Sequence, residues 1–333
     1  MNQAASNRAA GEVKPLACAD LLSIADLTSA EVSYLLALTA RVKAAPAEYA
    51  AALRGRHVAM FFEKPSLRTR LTFEVGVAKM GGTTSFVDQN GKRLDQRESL
   101  KDIAKNLERW VDAIVLRTFS HTTVTGMAAH AGVPVVNALT DVEHPCQALA
   151  DYFTLQERFA DLRQIRLAFV GDGNNVAHSL LLAAAALGSA ISVATPAGYE
   201  PDADIVAAAQ ATAVRTGAKL QITNDPVAAV TGADAVYTDV WASMGQESEA
   251  ASRARIFHPY QVNEKLFSLA SPTAVFMHCL PAHRGDEVTD AVMDSPRAVV
   301  FDQAENRMHI QKSILLSLLA GGPRQLAVRS THA

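Results

Sequence analysis

The sequence predicts an α/β protein of two domains, each built on a mainly parallel sheet flanked by helices. Short, continuous apolar runs such as 58–62 and 166–170 suit strands buried on both faces of a parallel sheet, and each leads through a polar turn into a helix-period segment. The alternation of strand and helix starts again at Arg166. A length of 333 residues fits about two domains of roughly 150 residues each.

In chain order, Met1 to Lys14 is polar and Ala-rich without an apolar core, and reads as a loose tail. Thr28-Ser-Ala-Glu31 is a capping box, followed on one helical face by Val32, Leu35, Leu36 and Val42 with a single hydroxyl, Thr39, before Pro46 ends the helix. Val58 to Phe62 is a strand stopped by Pro65, and Ser66 stands at the N-cap of a helix whose apolar positions are Leu71, Val75, Val77 and Met80. This junction offers free N–H groups, the hydroxyls of Ser66 and Thr69 and the guanidinium groups of Arg68 and Arg70, a set that suits a bound phosphate. A capped surface helix with solvated arginines has the same pattern.

Leu94 to Glu98 is a charged segment leading into a helix with Leu100, Ile103, Leu107 and Trp110 on its inner stripe. The strand Ala113 to Leu116 then places Arg117 at its carboxyl end, where open α/β sheets bind ligands. A helix near Val124 to Ala131 and a strand Val133 to Asn137 lead to a second polar junction, Glu143-His-Pro-Cys-Gln147. Pro145 fits the first helical turn, so His144 and Gln147 project from a helix start, able to donate to a carbonyl oxygen and accept from an amide. The helix Ala148 to Phe159 is long enough to run into the next domain.

In the second half, Arg166 to Val170 is a strand and Gly171-Asp-Gly-Asn-Asn175 a turn into the helix Val176 to Leu187. The turn resembles a dinucleotide fingerprint, but Val176 replaces the third glycine and no acidic residue ends the next strand, Ile191 to Thr195, so no nicotinamide site is expected. Strands follow at Lys219 to Thr223 and Ala235 to Tyr237, with a short helix capped by Asp225-Pro226 between them. Asp239 then opens a polar loop, Trp241 to Glu249, with the character of a lid. After the strand Ala274 to Met277, the segment His278-Cys-Leu-Pro-Ala-His-Arg-Gly285 carries possible metal ligands. They come from one irregular stretch with no acidic or thiolate cluster to complete a zinc shell, so no metal is expected. Val299 to Asp302 reads as the last strand, and Asn306-Arg307 opens the last helix, striped by Ile310, Ile314, Leu315, Leu318 and Leu319.

Composition narrows the partners. Nearly half the residues are apolar, a fifth are charged and the net charge is -3, which excludes disorder and a general nucleic-acid surface. Any anion must be met locally. Cys18, Cys146 and Cys279 form no CxxC pair, which speaks against a disulfide framework and for a reducing compartment. The longest apolar run, around Leu180 to Leu187, is too short to span a bilayer, so a cytoplasmic protein is expected.

With these residues assembled, the chain resembles the ornithine carbamoyltransferases from about Pro15 to Gly321. The motifs are Ser66-Leu-Arg-Thr-Arg70, His144-Pro-Cys-Gln147, Asp239-Val-Trp-Ala-Ser-Met-Gly245, and His278 to Gly285 with Asp302-Gln-Ala-Glu-Asn-Arg307 behind it. The first two belong to all carbamoyltransferases, and the others to the ornithine branch. The resemblance implies a carbamoyl phosphate-binding domain over 15–150, an ornithine-binding domain over 151–305 and a last helix, 306–321, crossing back onto the first domain. Tails over 1–14 and 322–333 complete the division. It implies a homotrimer with sites at subunit interfaces, no cofactor and no metal, and a cis Leu280-Pro281 bond.

By motif, Ser66, Leu67, Arg68 and Thr69 hold the phosphate, Arg117, His144 and Gln147 the carbamoyl group, and Asn175, Asp239, Ser243 and Met244 the ornithine. Cys279, Leu280 and Arg307 close the reacting centre. Asp239 attracts the amine, and Cys279 helps strip its proton or holds it in place. Many relatives carry a Gln before Glu98 that reaches a neighbouring site; the matching residue here is Arg93, an arginine still suited to phosphate. The competing acceptors are putrescine, aspartate and N-acylated ornithine, and a competitor of another class is an inactive, regulatory paralogue.

Overall fold

The computed structural model describes residues 13–242 and 247–321. The first domain opens with helix α1 (Ser29–Ala44), closed at its start by the Thr28/Glu31 capping box. Strand β1 (His57–Phe62), helix α2 (Leu67–Ala78), strand β2 (Thr83–Asp88), helix α3 (Leu100–Leu107), strand β3 (Ala113–Arg117), helix α4 (His121–Ala128) and strand β4 (Val135–Leu139) follow. The four strands form a parallel sheet in the order β2-β1-β3-β4. Helix α5 (Pro145–Arg158) then carries the chain across.

The second domain holds β5 (Arg166–Val170), α6 (Asn175–Leu187), β6 (Ala190–Ala194), α7 (Ala203–Thr216), β7 (Lys219–Thr223), α8 (Pro226–Val230) and β8 (Ala235–Thr238). It continues with α9 (Ala250–Phe257), α10 (Glu264–Phe267), β9 (Val275–His278) and α11 (Asp290–Met293). Its sheet is parallel throughout, in the order β7-β6-β5-β8-β9. The order reverses between β1 and β3 in one sheet and between β5 and β8 in the other. Ligands of open parallel sheets bind at the carboxyl ends of strands flanking such a reversal. The two anion-like turns, the one after β1 and the one after β5, stand at these points.

The expected strand at Val299 to Asp302 is helical instead. The final helix, α12, runs from Val300 to Ala320, and the extended pairing there shrinks to one bridge between Phe276 and Ala298. Phe301 is exposed and the buried face of α12 continues through Gln303, Asn306 and Arg307, polar residues that hide the helical period. The helix crosses back and packs on α1, α2 and α5 of the first domain. Thr39, the one hydroxyl in the stripe of α1, donates to the Leu35 carbonyl and to Ser313 of α12, so it is satisfied on both sides.

Two expected inner stripes are also partly turned outward. Leu71 and Val75 of α2 are exposed, while Thr69, Phe73, Gly76 and Val77 face inward, and Trp110 beyond α3 is 69 % exposed. Strand β2 gave no signal in the sequence because it is an edge strand with a mostly open face.

Candidate active site

Ser66 is the N-cap of α2, its hydroxyl accepting from the Thr69 N–H at 3.2 Å, which leaves the earlier amides of that turn free for an anion. Arg68 projects from the same turn. Arg117 ends β3 and is almost wholly buried, with its Nε donating to the Lys64 carbonyl at 3.2 Å. Arg307 comes from the crossing helix, and its guanidinium donates to the Thr69 hydroxyl at 2.7 Å. Burial lowers the affinity of all three guanidiniums for their protons, and at Arg117 and Arg307 the charge of a neighbouring arginine adds to it; Arg117 falls to about 9. At about 9, Arg117 is still a cation at neutral pH.

His144 is the N-cap of α5, with Pro145 at the first helical position as the sequence predicts. Burial, then the charges of Arg307 and Arg117, hold its imidazole well below the usual range, so it is neutral. Its Nδ1 has no partner among the described residues, nor has Oε1 of Gln147 one turn on. A neutral donor-acceptor ring and an amide oxygen therefore stand ready beside the cations. A buried polar atom left open in this way is expensive unless a ligand satisfies it.

The opposite wall belongs to the second domain. Asp239, just past β8, accepts from Asn174 through one oxygen at 2.8 Å and from the Cys279 thiol through the other at 3.0 Å. Burial and the neighbouring Asp239 push the Cys279 thiol well above its ordinary value. A thiol raised in this way stays protonated and donates to Asp239. Asp239, His278 and Cys279 bring ligand-type atoms within 4.8 Å of one another. Both ring nitrogens of His278 are engaged, however, one with Glu287 and the other with the Leu280 N–H. The Leu280-Pro281 peptide is cis.

These walls enclose a cleft of about 360 Å³ that gathers Ser66, Leu67, Arg68, Arg117, His144, Gln147, Asn175, Asp239, Cys279, Leu280 and Arg307. Thr69 lies behind it, bonded to Arg307. Arg93 does not line the cleft of its own chain; it is half-exposed and paired with Asp95 at 2.7 Å. Ser243 and Met244 lie outside the described residues.

Sequence reasoning missed several participants. Lys64 lines the cleft and lies over the Phe119 ring, one residue before the turn that drew attention. Glu63 is buried and accepts from the Leu94 and Phe119 N–H groups, joining the segment after Arg93 to the strand ends. Asn174 caps α6 and grips Asp239 at once. Arg253 is buried, paired with Asp172, bonded to the Trp241 carbonyl and stacked over Tyr199 and Phe257. Only Asn174, an Asn at a helix start, carried a local signal.

Sequence models decide the family. The aspartate/ornithine carbamoyltransferase carbamoyl-P binding domain matches residues 19–157, and the Asp/Orn binding domain of the same family matches residues 163–318. The chain belongs to the aspartate/ornithine carbamoyltransferase family. It is 50 % identical over 302 residues to the ornithine carbamoyltransferase of Carboxydothermus hydrogenoformans, covering 90 % of this chain and 97 % of that one. The anabolic ornithine carbamoyltransferase of Pyrococcus furiosus is 47 % identical over 311 residues, 93 % of this chain and 99 % of its own. The solved ornithine carbamoyltransferase from Pyrococcus furiosus superposes with a TM-score of 0.88 at 48 % identity, over 92 % of this chain and 98 % of its own. A solved N-acetyl-L-ornithine transcarbamylase complexed with PALAO is more distant, with a TM-score of 0.80 at 31 % identity over 90 % and 99 % of the two chains.

Proposed function

We propose that this family member transfers the carbamoyl group of carbamoyl phosphate to the δ-amine of L-ornithine, giving L-citrulline and phosphate. The observation that carries the reading is the division of the cleft. Two buried guanidiniums, Arg117 and Arg307, with the half-buried Arg68 and a capped helix start form one wall, and among the described residues a single carboxylate, Asp239, held by Asn174 and Cys279, stands on the other. A dianion belongs on the first and an amine on the second.

In this reading Ser66, Leu67, Arg68 and Thr69 hold the phosphate, with Arg307 fixing Thr69. Arg117 and neutral His144 donate to the carbamoyl oxygen, and Gln147 accepts from the carbamoyl amide. The neutral δ-amine attacks the carbamoyl carbon, a C–N bond forms, charge gathers on the carbonyl oxygen, and the C–O bond to phosphate breaks. Donors aimed at that oxygen act where charge develops, and one such donor is typically worth about 3 kcal/mol. The departing phosphate oxyanion stands beside the nitrogen to receive the amine proton. Asp239, Asn175, Ser243 and Met244 orient ornithine, while Cys279 and Leu280 close the centre, and no step requires a cofactor or metal.

The acceptor is free ornithine. Relatives at 47–50 % identity are named for ornithine, whereas a solved structure named for N-acetyl-L-ornithine stands at 31 %. The chain works as a cytoplasmic homotrimer in which Arg93 approaches a neighbour's phosphate. Supporting this, Leu67, Leu71 and Val75 leave an apolar strip of α2 uncovered beside the cleft, and Trp110 borders an open groove on the first sheet. The test is citrulline formation from carbamoyl phosphate and ornithine, with putrescine, aspartate and N-acetylornithine run beside it. A higher kcat/KM for any of these three would overturn the choice of acceptor.

A further inference from the structure

Behind the cleft lies a buried polar chain whose central residue, Asp151, does not line the cleft. Asp151, one helical turn after Gln147 on α5, is fully buried. Its Oδ1 accepts from Nε2 of Gln147 at 2.8 Å and from Nε2 of Gln303, on the crossing helix, at 2.7 Å. The carbonyl oxygen of Gln303 in turn accepts from the His278 N–H at 3.0 Å, at the end of β9. One oxygen thus joins a residue of each wall to the helix that spans them.

A carboxylate oxygen accepts and cannot donate, so it dictates which end of each glutamine faces it. Gln147 must turn its NH₂ toward Asp151. Its carbonyl oxygen is then directed away, buried and without a partner among the described residues, on a side chain that lines the cleft. We propose that Asp151 is a positioning residue for carbamoyl recognition: it locks the Gln147 amide with its oxygen toward the carbamoyl NH₂ and, through Gln303, ties that orientation to the His278–Leu280 segment. This rests on the carbamoyl-transfer reading. Burial raises the Asp151 carboxyl to about 7 against the pull of Gln147, Gln303, the Tyr237 hydroxyl and the charge of Arg307, and a proton carried on Oδ2 leaves Oδ1 an acceptor. The lock therefore survives protonation.

Asp151→Leu removes the obligation, because an apolar side chain leaves Gln147 free to reverse, whereas an Asn would still be held with its oxygen inward by Gln303; a reversed Gln147 meets the carbamoyl NH₂ donor to donor. The KM for carbamoyl phosphate should rise about tenfold, while inhibition by inorganic phosphate, which needs only the cationic wall, should change less than twofold. In a Gln147→Ala background the same substitution should add nothing. Equal losses for both ligands, or effects that multiply in the double variant, overturn the proposal. Should Asp151→Leu fail to fold, Gln147→Glu decides. Two facing carboxyls share a proton only as pH falls, so its activity relative to wild type should recover between pH 8 and pH 6, and a flat ratio overturns the lock. Wild-type protein that neither binds carbamoyl phosphate nor makes citrulline overturns both readings, whereas active wild type with unaffected variants overturns this one alone.

Discussion

Replacing Arg117 with methionine should make the ligand-free protein more stable while nearly abolishing its turnover. Arg117 is 6 % exposed at the end of β3. Burial first, then the charge of Arg307, brings its guanidinium down to about 9. A fall of that size from the ordinary guanidinium range is worth on the order of 4–5 kcal/mol, at about 1.4 kcal/mol per decade. Methionine keeps much of the length and apolar contact and forfeits the bond to the Lys64 carbonyl, which costs about 1.5–3 kcal/mol for a charged donor. The balance is a gain of about 2 kcal/mol, or a rise of several degrees in the unfolding midpoint. The sign with pH follows from proton counts. Above about pH 9 the folded state binds fewer protons than the unfolded one, so wild type gains on the variant there, and below pH 9 the full penalty stands. Turnover should fall in the other direction, by about a hundredfold or more in kcat/KM, because a donor to the developing oxyanion is gone. Thermal unfolding at pH 7.5 with and without carbamoyl phosphate, beside steady-state kinetics, checks both halves. A ligand-free variant no more stable than wild type would refute the idea that the cationic wall is held under electrostatic stress.

Arg68→Ala should raise the KM for carbamoyl phosphate at least tenfold with little change in the unfolding midpoint, read by saturation kinetics and calorimetric scanning. Cys279→Ser should keep turnover within about tenfold, since a hydroxyl also donates to Asp239, and the wild-type thiol should resist iodoacetamide at pH 8; rapid alkylation would show a thiolate. If, as proposed, the ornithine groups lie on one domain and the phosphate groups on the other, a carbamoyl-phosphate mimic should tighten binding of L-norvaline, and equal affinities by calorimetry would contradict such coupling. Arg93→Gln should raise the KM for carbamoyl phosphate chiefly at low salt. In mixed assemblies of Arg68-dead and Arg93→Ala subunits of the proposed trimer, activity tracking only intact Arg68 would exclude an Arg93 contribution to a neighbour's site.

What the sequence disclosed was local chemistry at element ends. Ser66, His144 with Pro145, and Arg117 could be placed because caps, first-turn prolines and strand ends have residue preferences readable over a few positions. Arg253 and Asp151 could not, because an arginine in a short helix and an aspartate in a long one acquire their roles only from Asp172, Trp241 and Gln303, distant in sequence. The same cause produced the error at Val299 to Asp302. A helix whose buried face is lined by Gln303, Asn306 and Arg307 loses its apolar period where it meets the cleft.

The crossing of α12 also sets the order in which this protein can become itself. Ile310, Ile314 and Leu315 belong to the core shared with α1 and α5, and Asn306 bonds Lys43 of α1. The first domain therefore lacks an inner wall until the last of its helices is made, more than a hundred and sixty residues after Arg158. At roughly 5–20 residues per second, the ribosome leaves that wall open for some 10–30 s. Over that interval the second sheet can close while the first waits. The half that emerges first is finished last, and the segment that finishes it delivers Arg307 to the cleft, so that domain completion and assembly of the cationic wall become one event.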